Sequence, residues 1–377
     1  MVLRGLLKLV VTFCLAVLLA SADPVNPSLG SGDDAFVSRQ STALLAEIDK
    51  TLDAVPPAIP EPRERVLALR ILDAVLHDTH SPNRVAVQDF YHARIESAVK
   101  QIEETRVTEG MRIWKLYNHG FIVRTPSIAI AFDLYRGPAK FRWDGPTERK
   151  AVDSPGFPIS DALADRIAAQ CDAMFISHEH RDHADPVFTE AFLKLGKPVV
   201  APEPVLKDTP QHARITHMKR EAHTLQTLKI QDGKVNLQVV NYPGQQYQGK
   251  GVPNNVTLVI SPEGYAFAHN GDQINDPYPE YQEDFKWIDV VKDHHRVDLL
   301  MTNCWSNDLL RMVRGFNPQL VIPGHENELG HQMNDRVPFW GDEEYLQLNL
   351  SEVRAQFPTL RMTWGETYLF VPTRTTP

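Results

Sequence analysis

Cysteine is scarce in this chain of 377 residues, which contains only Cys14, Cys171 and Cys304. Three thiols cannot build a disulfide framework, so the small folds that depend on several disulfides are excluded. Cys171 and Cys304 each lie beside an apolar run, which is typical of small buried residues. One disulfide between them stays open as an alternative.

Long apolar runs are also lacking, except near the N-terminus. Arg4 and Lys8 precede a mostly apolar stretch at residues 9–20, and small residues follow it at positions 20–22. The stretch is shorter than the roughly 20 residues of a membrane-spanning helix. This order of charge, apolar run and small residues is that of a secretory signal peptide. We expect cleavage after residue 22, a secreted or periplasmic protein, and no integral membrane segment after cleavage.

The chain has no excess of basic residues. It carries 39 Lys and Arg against 48 Asp and Glu, for a net charge of −9, and loss of residues 1–22 would remove two of the basic residues and no acidic one. Nucleic-acid binding depends largely on neutralising phosphates. We therefore expect no nucleic-acid partner, although a nuclease with a local basic groove stays open.

The spacing of apolar residues divides the rest of the chain. Residues 23–40 are rich in Pro, Ser, Gly and Asp and indicate a flexible leader. Three amphipathic patterns predict a helical extension over residues 41–107, either packed on the main domain or forming a surface for a partner. From residue 108 to 377, short apolar runs indicate strands that alternate with helical patterns. Strand clusters interleaved with helices predict an α/β domain with helices covering its sheets.

The densest group of potential metal ligands directly follows a predicted buried strand at residues 173–177. It reads His178-Glu179-His180-Arg181-Asp182-His183. Imidazole nitrogen and carboxylate oxygen are natural ligands for zinc and similar divalent ions. The loop could turn His178 and His180 towards one ion, and Asp182 and His183 towards a second. A solvated polar loop is the alternative, and the density of ligands argues against it.

The pattern His178-x-His180-x-Asp182-His183 resembles the signature of the metallo-β-lactamase superfamily at every defined position. Further along the chain, Gly271-Asp272 resembles the family's bridging aspartate. Pro323-Gly324-His325 resembles its final histidine ligand. The turn at residues 118–121 and Asp133 after the third strand are also similar. The resemblance covers the chain from about residue 111 and leaves the helical extension unexplained.

The resemblance implies an α/β fold of four layers, an αββα sandwich with the site at one edge. It also implies that His178 and His180 bind a first ion, that Asp182, His183 and His325 bind a second, and that Asp272 bridges them. The implied nucleophile is a bridging water or hydroxide, and a bound divalent ion can lower the pKa of water to about 7. Asp182 and Asp272 are accordingly assigned to catalysis as well as to metal binding.

One position departs from the family pattern. The family usually supplies a third histidine to the first ion, and we interpret Gln246, in the stretch of residues 242–247, as its replacement. An amide oxygen is a weaker and harder ligand than imidazole, so manganese competes better with zinc there. The expected cofactor is one or two divalent ions, with zinc as the first expectation and manganese as the alternative. The departure also leaves open a catalytically degenerate binding protein.

Further candidates lie near these motifs. His119, Tyr247 and Trp305 are candidate substrate-binding residues, with packing as the alternative for each, and Glu326 and Glu328 are candidate partners of His325.

Within the superfamily, the sequence is most similar to the branch that includes L-ascorbate-6-phosphate lactonase and N-acylphosphatidylethanolamine phospholipase D. That similarity predicts a hydrolase acting on an ester, lactone or phosphodiester bond of a small molecule or lipid. The sequence does not choose among the three bonds.

Overall fold

The computed structural model describes residues 31–76, 84–137, 142–143, 149–150, 159–246, 251–274, 285–306, 308–326, 329 and 350–374. The α-helices α1 to α8 are Ser31–Ala54, Arg63–Leu76, Val85–Glu104, Asp161–Gln170, Pro186–Lys194, Val291–His294, Leu309–Phe316 and Leu350–Gln356. Strands β1 to β7 are Met111–Lys115, Phe121–Arg124, Ala129–Phe132, Arg142–Trp143, Arg149–Lys150, Ala173–Phe175 and Val199–Val200. Strands β8 to β14 are Gln226–Ile230, Val235–Gln245, Pro253–Ile260, Ala266–His269, Leu299–Asn303, Leu320–Gly324 and Thr367–Phe370.

The chain divides into two compact units, Met1–Gln40 and Ser41–Pro377. The expected leader at residues 23–40 is helical from residue 31 onward, where α1 begins. Proline and glycine stop at residue 32, and two aspartates follow, which favour the first turn of a helix. The predicted signal peptide lies outside the described residues.

Two six-stranded sheets dominate the second unit. The first has the strand order β14-β1-β2-β3-β6-β7, and the second has the order β13-β12-β11-β10-β9-β8. Each sheet contains both parallel and antiparallel neighbours: β3, β6 and β7 are parallel in the first, and β11, β12 and β13 in the second. This arrangement confirms the predicted α/β class.

The inner strands of both sheets are buried on both faces, and neighbouring residues of β1 show this. Ile113 and Phe132 point into an apolar cluster shared with Phe267 and Ile322 of the second sheet. Trp114, which follows Ile113 in β1, points to the opposite face of the sheet and into an apolar cluster that includes residues of the helices. Strands covered on both faces read as continuous apolar runs, which explains why the strands were visible in the sequence. The layers are helix, sheet, sheet, helix.

The helical extension is held to the main domain by buried polar contacts. Arg65 in α2 is fully buried and donates from Nη1 to Glu366 Oε1 at 2.7 Å and from Nη2 to the Arg361 carbonyl at 2.9 Å. Arg94 in α3 donates from Nε to the Trp364 carbonyl at 2.7 Å. An unpaired buried guanidinium would be strongly unfavourable, so these contacts favour the packed position of α2 and α3.

Two further expectations have clear outcomes. Cys171 and Cys304 are buried and free, so the disulfide alternative was wrong. The closing helix predicted at residues 343–356 is present at Leu350–Gln356, and its earlier part lies outside the described residues.

No helix in the described part of the chain combines the length and apolar character that crossing a bilayer requires.

Candidate metal centre

The predicted ligands follow strands that belong to both sheets. β6 leads into the loop at residues 178–183, β11 leads into Asp272, and β13 leads into His325. Because β11, β12 and β13 are parallel, their carboxyl ends meet at one edge of their sheet. The centre forms where that edge meets the loop after β6.

Four side chains converge in what we define as the second half of the centre: Asp182, His183, Asp272 and His325. Their ligand atoms all lie within 4.8 Å of one another. His183 Nε2 lies 2.9 Å from Asp182 Oδ2 and 3.3 Å from Asp272 Oδ2. His325 Nε2 lies 3.1 Å from Asp182 Oδ2 and 3.5 Å from Asp272 Oδ2. The fold thus brings together side chains that are up to 143 residues apart in the chain.

The first half of the centre, which we define as His178, His180 and Gln246, adjoins the same aspartate. His178 Nε2 lies 3.6 Å from Asp272 Oδ2, and the His180 ring lies 4.7 Å from the His178 ring between centroids. Gln246 Nε2 donates to Asp272 Oδ2 at 3.0 Å. Gln246 therefore lies beside Asp272, and its role as a metal ligand stays a prediction.

Asp133, which follows β3, orients two histidines of the centre. Its Oδ2 accepts from His183 Nδ1 at 2.7 Å and from Ser177 Oγ at 2.6 Å. Since the Ser177 proton is used there, Ser177 Oγ can accept from His178 Nδ1 at 3.0 Å. In the neutral rings, both Nε2 atoms then carry the lone pair and face the centre. Outer partners of this kind orient metal-binding histidines in general.

Amide side chains hold the two central carboxylates. Asn303, at the end of β12, donates from Nδ2 to Asp272 Oδ1 at 2.7 Å. Asn118 donates from Nδ2 to Asp182 Oδ2 at 3.1 Å. Asp272 is also fixed through its backbone, since its N–H donates to Asn254 Oδ1 at 3.0 Å.

The backbone next to the ligands is unusually constrained. Gly271 has a φ of +54°, and a Cβ there would lie 2.2 Å from Asn254 Oδ1, so only glycine fits before Asp272. A Cβ on Gly324 would lie 2.3 Å from His119 Nδ1. His325 itself has a φ of 69°, a left-handed conformation that costs a non-glycine residue about 1 kcal/mol. Strain of this kind is typical of functional sites.

Carboxylates and imidazoles shift one another's pKa in the second half. Burial raises the pKa of Asp182 and Asp272, but the neighbouring imidazoles outweigh it and hold both pKa values well below the usual range. Burial lowers the pKa of His183, but Asp182, Asp272 and Asp133 outweigh it and raise that pKa well above its usual value. The pKa of His178 falls to about 3 because of burial and the nearby His183.

The described residues fit a divalent cation. His178 Nε2 and Gln246 Oε1 are buried and have no hydrogen-bond partner in the described part of the chain. Leaving such a group unsatisfied costs about 1–3 kcal/mol, which a bound cation would remove. The remaining donors are imidazole nitrogens and carboxylate oxygens, which suit zinc and manganese.

The candidate substrate-binding residues differ in how far they are exposed to solvent. His119 is fully buried and packs against His269, with ring centroids 4.1 Å apart, and its role in substrate binding stays a prediction. Trp305 is partly exposed, and its indole N–H donates to the His325 carbonyl. Tyr247 lies outside the described residues.

Of the two acidic residues expected to contact His325, only Glu326 lies in the described part of the chain. The Glu326 carboxylate is fully buried and pairs with Lys115 Nζ, which also donates to the Pro323 carbonyl at 3.2 Å. Glu326 therefore supports the turn that carries His325 through Lys115. Glu328 lies outside the described residues.

Sequence reasoning missed several residues that shape the centre. Ser177 and Asn303 carry no metal-ligand signal, and His269 looked like the end of an ordinary strand. His269 Nδ1 accepts from the Gly271 N–H at 3.2 Å and so supports the turn before Asp272. The available signal was that a polar residue ends a buried strand at positions 269 and 303 and follows one at position 177.

Comparison with known proteins identifies the family. The model of the β-lactamase superfamily domain matches residues 134–325, about half of the chain, and this segment contains every proposed metal ligand. The chain therefore belongs to the β-lactamase superfamily. A search of curated proteins finds no match.

Solved structures with partial similarity include the following three proteins. A metallo hydrolase, Igni18 from the archaeon Ignicoccus hospitalis, is 17% identical, with a TM-score of 0.45, and the match covers 69% of this chain and 98% of that one. An isothiocyanate hydrolase from Delia radicum gut bacteria is 14% identical, with a TM-score of 0.46 and coverage of 70% and 100%. Yeast PDE1 is 12% identical, with a TM-score of 0.44 and coverage of 70% and 100%.

Proposed function

We propose that this protein is a metal-dependent hydrolase that cleaves an ester, lactone or phosphodiester bond of a small molecule or lipid. One observation carries the proposal. At the edge of the sheet, four ligand atoms lie within 4.8 Å of one another, and they belong to Asp182, His183, Asp272 and His325. Membership of the superfamily is consistent with this chemistry. A buried cluster of two carboxylates and two imidazoles has a clear physical use as a cation site.

The chain's own residues supply position and charge. Asp182, His183, Asp272 and His325 would hold one ion, and His178, His180 and Gln246 would hold another beside Asp272. A divalent ion, when bound, makes water a nucleophile near neutral pH and polarises the bond that is attacked. Asp133 keeps the His183 ring in one orientation, and Asn303 does the same for the Asp272 carboxylate. Such fixed geometry lowers the reorganisation needed during reaction.

The substrate class rests on the resemblance to the lactonase and phospholipase D branch. A metal-activated water suits a lactone, an ester and a phosphodiester alike. The net charge of −9 makes a nucleic-acid substrate unfavourable. A small molecule or a lipid is therefore the proposed substrate.

The test combines metal analysis with a substrate panel. Protein purified without chelator is assayed for zinc and manganese, then for turnover of generic ester, lactone and phosphodiester substrates with each metal added. We expect turnover of at least one class, its loss on chelation, and its loss in His183→Ala. Metal-bound, folded protein that turns over none of the three classes would overturn the proposal.

A non-catalytic binding protein is the second candidate, and one contact favours it. The Gln246 amide donates to Asp272 where the family usually has an imidazole. A weakly held first ion would leave a centre that binds metal without catalysing hydrolysis. The same panel separates the two, because a binding protein would retain metal and show no turnover under any metal condition.

The proposed place of action is outside the cytoplasm, either secreted or periplasmic. The support is the sequence of residues 1–22, with Arg4 and Lys8 before the apolar stretch. N-terminal sequencing of exported protein should show a chain that begins at Asp23. An exported chain that still carries residues 15–19 would indicate an anchor instead.

A further inference from the structure

We propose that the protein has a second, separate metal site, formed by Glu203, His212 and His217, that binds one divalent ion of the zinc type. Their ligand atoms all lie within 4.8 Å of one another. None of the three belongs to the centre described above. Glu203 follows β7, the outer strand beside β6, so both sites lie beyond the carboxyl ends of parallel strands in the first sheet.

The distances from the Glu203 carboxylate to the two imidazoles are close to those between ligands of one zinc ion. His212 Nε2 lies 3.5 Å from Glu203 Oε1, and His217 Nε2 lies 3.6 Å from Glu203 Oε2. Direct hydrogen bonds would usually be about 2.7–3.2 Å long. Nitrogen and oxygen ligands of one tetrahedral zinc are roughly 3.4 Å apart, given metal–ligand distances near 2.1 Å. The observed separations are nearer to the second geometry.

The hydrogen bonds of the His212 and His217 rings leave Nε2 of each ring facing the Glu203 carboxylate. His212 Nδ1 donates to the Val205 carbonyl at 3.1 Å, and His217 Nδ1 donates to the Ala201 carbonyl at 2.9 Å. A carbonyl can only accept, so Nδ1 carries the proton, and in the neutral ring Nε2 carries the lone pair. Two lone pairs and a negative carboxylate then face one another, an arrangement that a cation stabilises. Backbone carbonyls commonly support metal-binding histidines in this way.

The backbone holds the three ligands in place without an ion. Ala201 N–H donates to the Thr216 carbonyl at 3.2 Å, and Thr216 N–H donates to the Val199 carbonyl at 2.8 Å. These bonds close the loop between β7 and residue 216, with Glu203 near its start and His217 just past its end. His212 lies on a short 3₁₀ helix, His212–Arg214, within the loop. An ion would therefore join both ends of the loop and its middle.

Exposure separates this site from the buried centre. The side chains of His212 and His217 are 22% and 28% exposed, and that of Glu203 is 70% exposed. Three protein ligands leave a fourth position of a tetrahedral ion for water. The ion should exchange readily with solvent, and its expected effect is to stabilise the loop.

The experiment counts zinc in the full chain after chelator treatment and titration with zinc alone. His212→Asn and His217→Asn each keep a donor near the Nδ1 position but remove the Nε2 ligand. We expect each variant to bind one zinc fewer per chain than the parent, or to bind it at least tenfold more weakly. Glu203→Gln, which keeps the size of the side chain, should have the same effect. His294→Asn is the matched control, because His294 is exposed and stacks on His223 at 3.9 Å between centroids.

A second measurement distinguishes this site from the buried centre. Zinc should protect the loop between Glu203 and His217 from proteolysis in the parent and in Asp272→Ala, but not in His217→Asn. The proposal is overturned if the asparagine variants bind as much zinc, as tightly, as His294→Asn. It is also overturned if Asp272→Ala abolishes all zinc binding while the protein stays folded. Neither outcome depends on hydrolytic activity.

Discussion

His178 and His183 are both fully buried in the centre, yet their pKa values shift in opposite directions. Burial lowers the pKa of both rings, so burial cannot explain the difference. His183 Nε2 lies within 3.3 Å of two carboxylates, and its Nδ1 bonds to a third. His178 has Ser177 at Nδ1 and only Asp272, at 3.6 Å, near Nε2. The second half of the centre is therefore charge-paired, with carboxylates next to a positively charged imidazole. The first half consists of neutral ligands, two imidazoles and one amide.

This difference predicts how each half binds an ion. Negative charge in the second half attracts a cation before any coordination bond forms. The first half depends on neutral ligands and on sharing Asp272. We expect the second half to bind its ion more tightly than the first.

The largest effect should come from Asp272→Ala, because Asp272 adjoins both halves. Loss of an outer partner alone typically weakens metal binding by about 10–100-fold, so loss of a shared carboxylate should exceed about 100-fold. Hydrolysis and the metal held by the buried centre should both fall nearly to background, whereas zinc bound by Glu203, His212 and His217 should remain. Asp289→Ala, which removes an exposed carboxylate bonded to Arg311, is the control. Unchanged metal content and turnover in a folded Asp272→Ala protein would contradict the assignment of the centre.

Folding of that variant needs its own measurement, since bound metal stabilises the native state. Thermal unfolding of both proteins in chelator removes this contribution. Comparable unfolding temperatures there would show that the lost zinc reflects a lost ligand.

A smaller and opposite effect is expected for Gln246→His, which tests the first half alone. Imidazole binds zinc more strongly than an amide oxygen does, so zinc affinity should rise by roughly 10–100-fold, at about 1.4 kcal/mol per tenfold. Competition with a calibrated chelator measures the zinc bound per chain. Gln245→His, on the adjacent residue, is the matched control. If only the control gains zinc affinity, Gln245 and not Gln246 faces the first ion.

The smallest effect should be the release of one proton when a metal ion binds to the second half of the centre. The pKa of His183 is raised, so in the metal-free protein the ring stays protonated at neutral pH, and an ion must displace that proton. Binding should therefore weaken by up to about tenfold per pH unit below that pKa. His178, with a pKa of about 3, adds no proton. Calorimetry in buffers of different ionisation enthalpy measures the release, and zinc binding without any released proton would contradict the charge-paired second half.

Local sequence patterns determined much of the architecture. The inner strands were visible because burial on both faces makes them continuous apolar runs, and the helices because their apolar residues recur on one face. The ligand cluster at residues 178–183 was visible because its members are contiguous. Asp272 and His325 could be predicted only through the family resemblance, since each alone is an ordinary polar residue after a strand.

Tertiary structure alone decided how these residues meet. The bond between Asp133 and His183 spans 50 residues, and the contacts between Lys115 and Glu326 and between Arg65 and Glu366 span 211 and 301. The group of Glu203, His212 and His217 has no recognisable motif, because a loop closed by backbone bonds brings its members together. Local spacing specifies which face of a helix or strand a side chain occupies. Which distant side chains share a site, and therefore which histidine holds a proton, depends on how the two sheets pack and where their strands end.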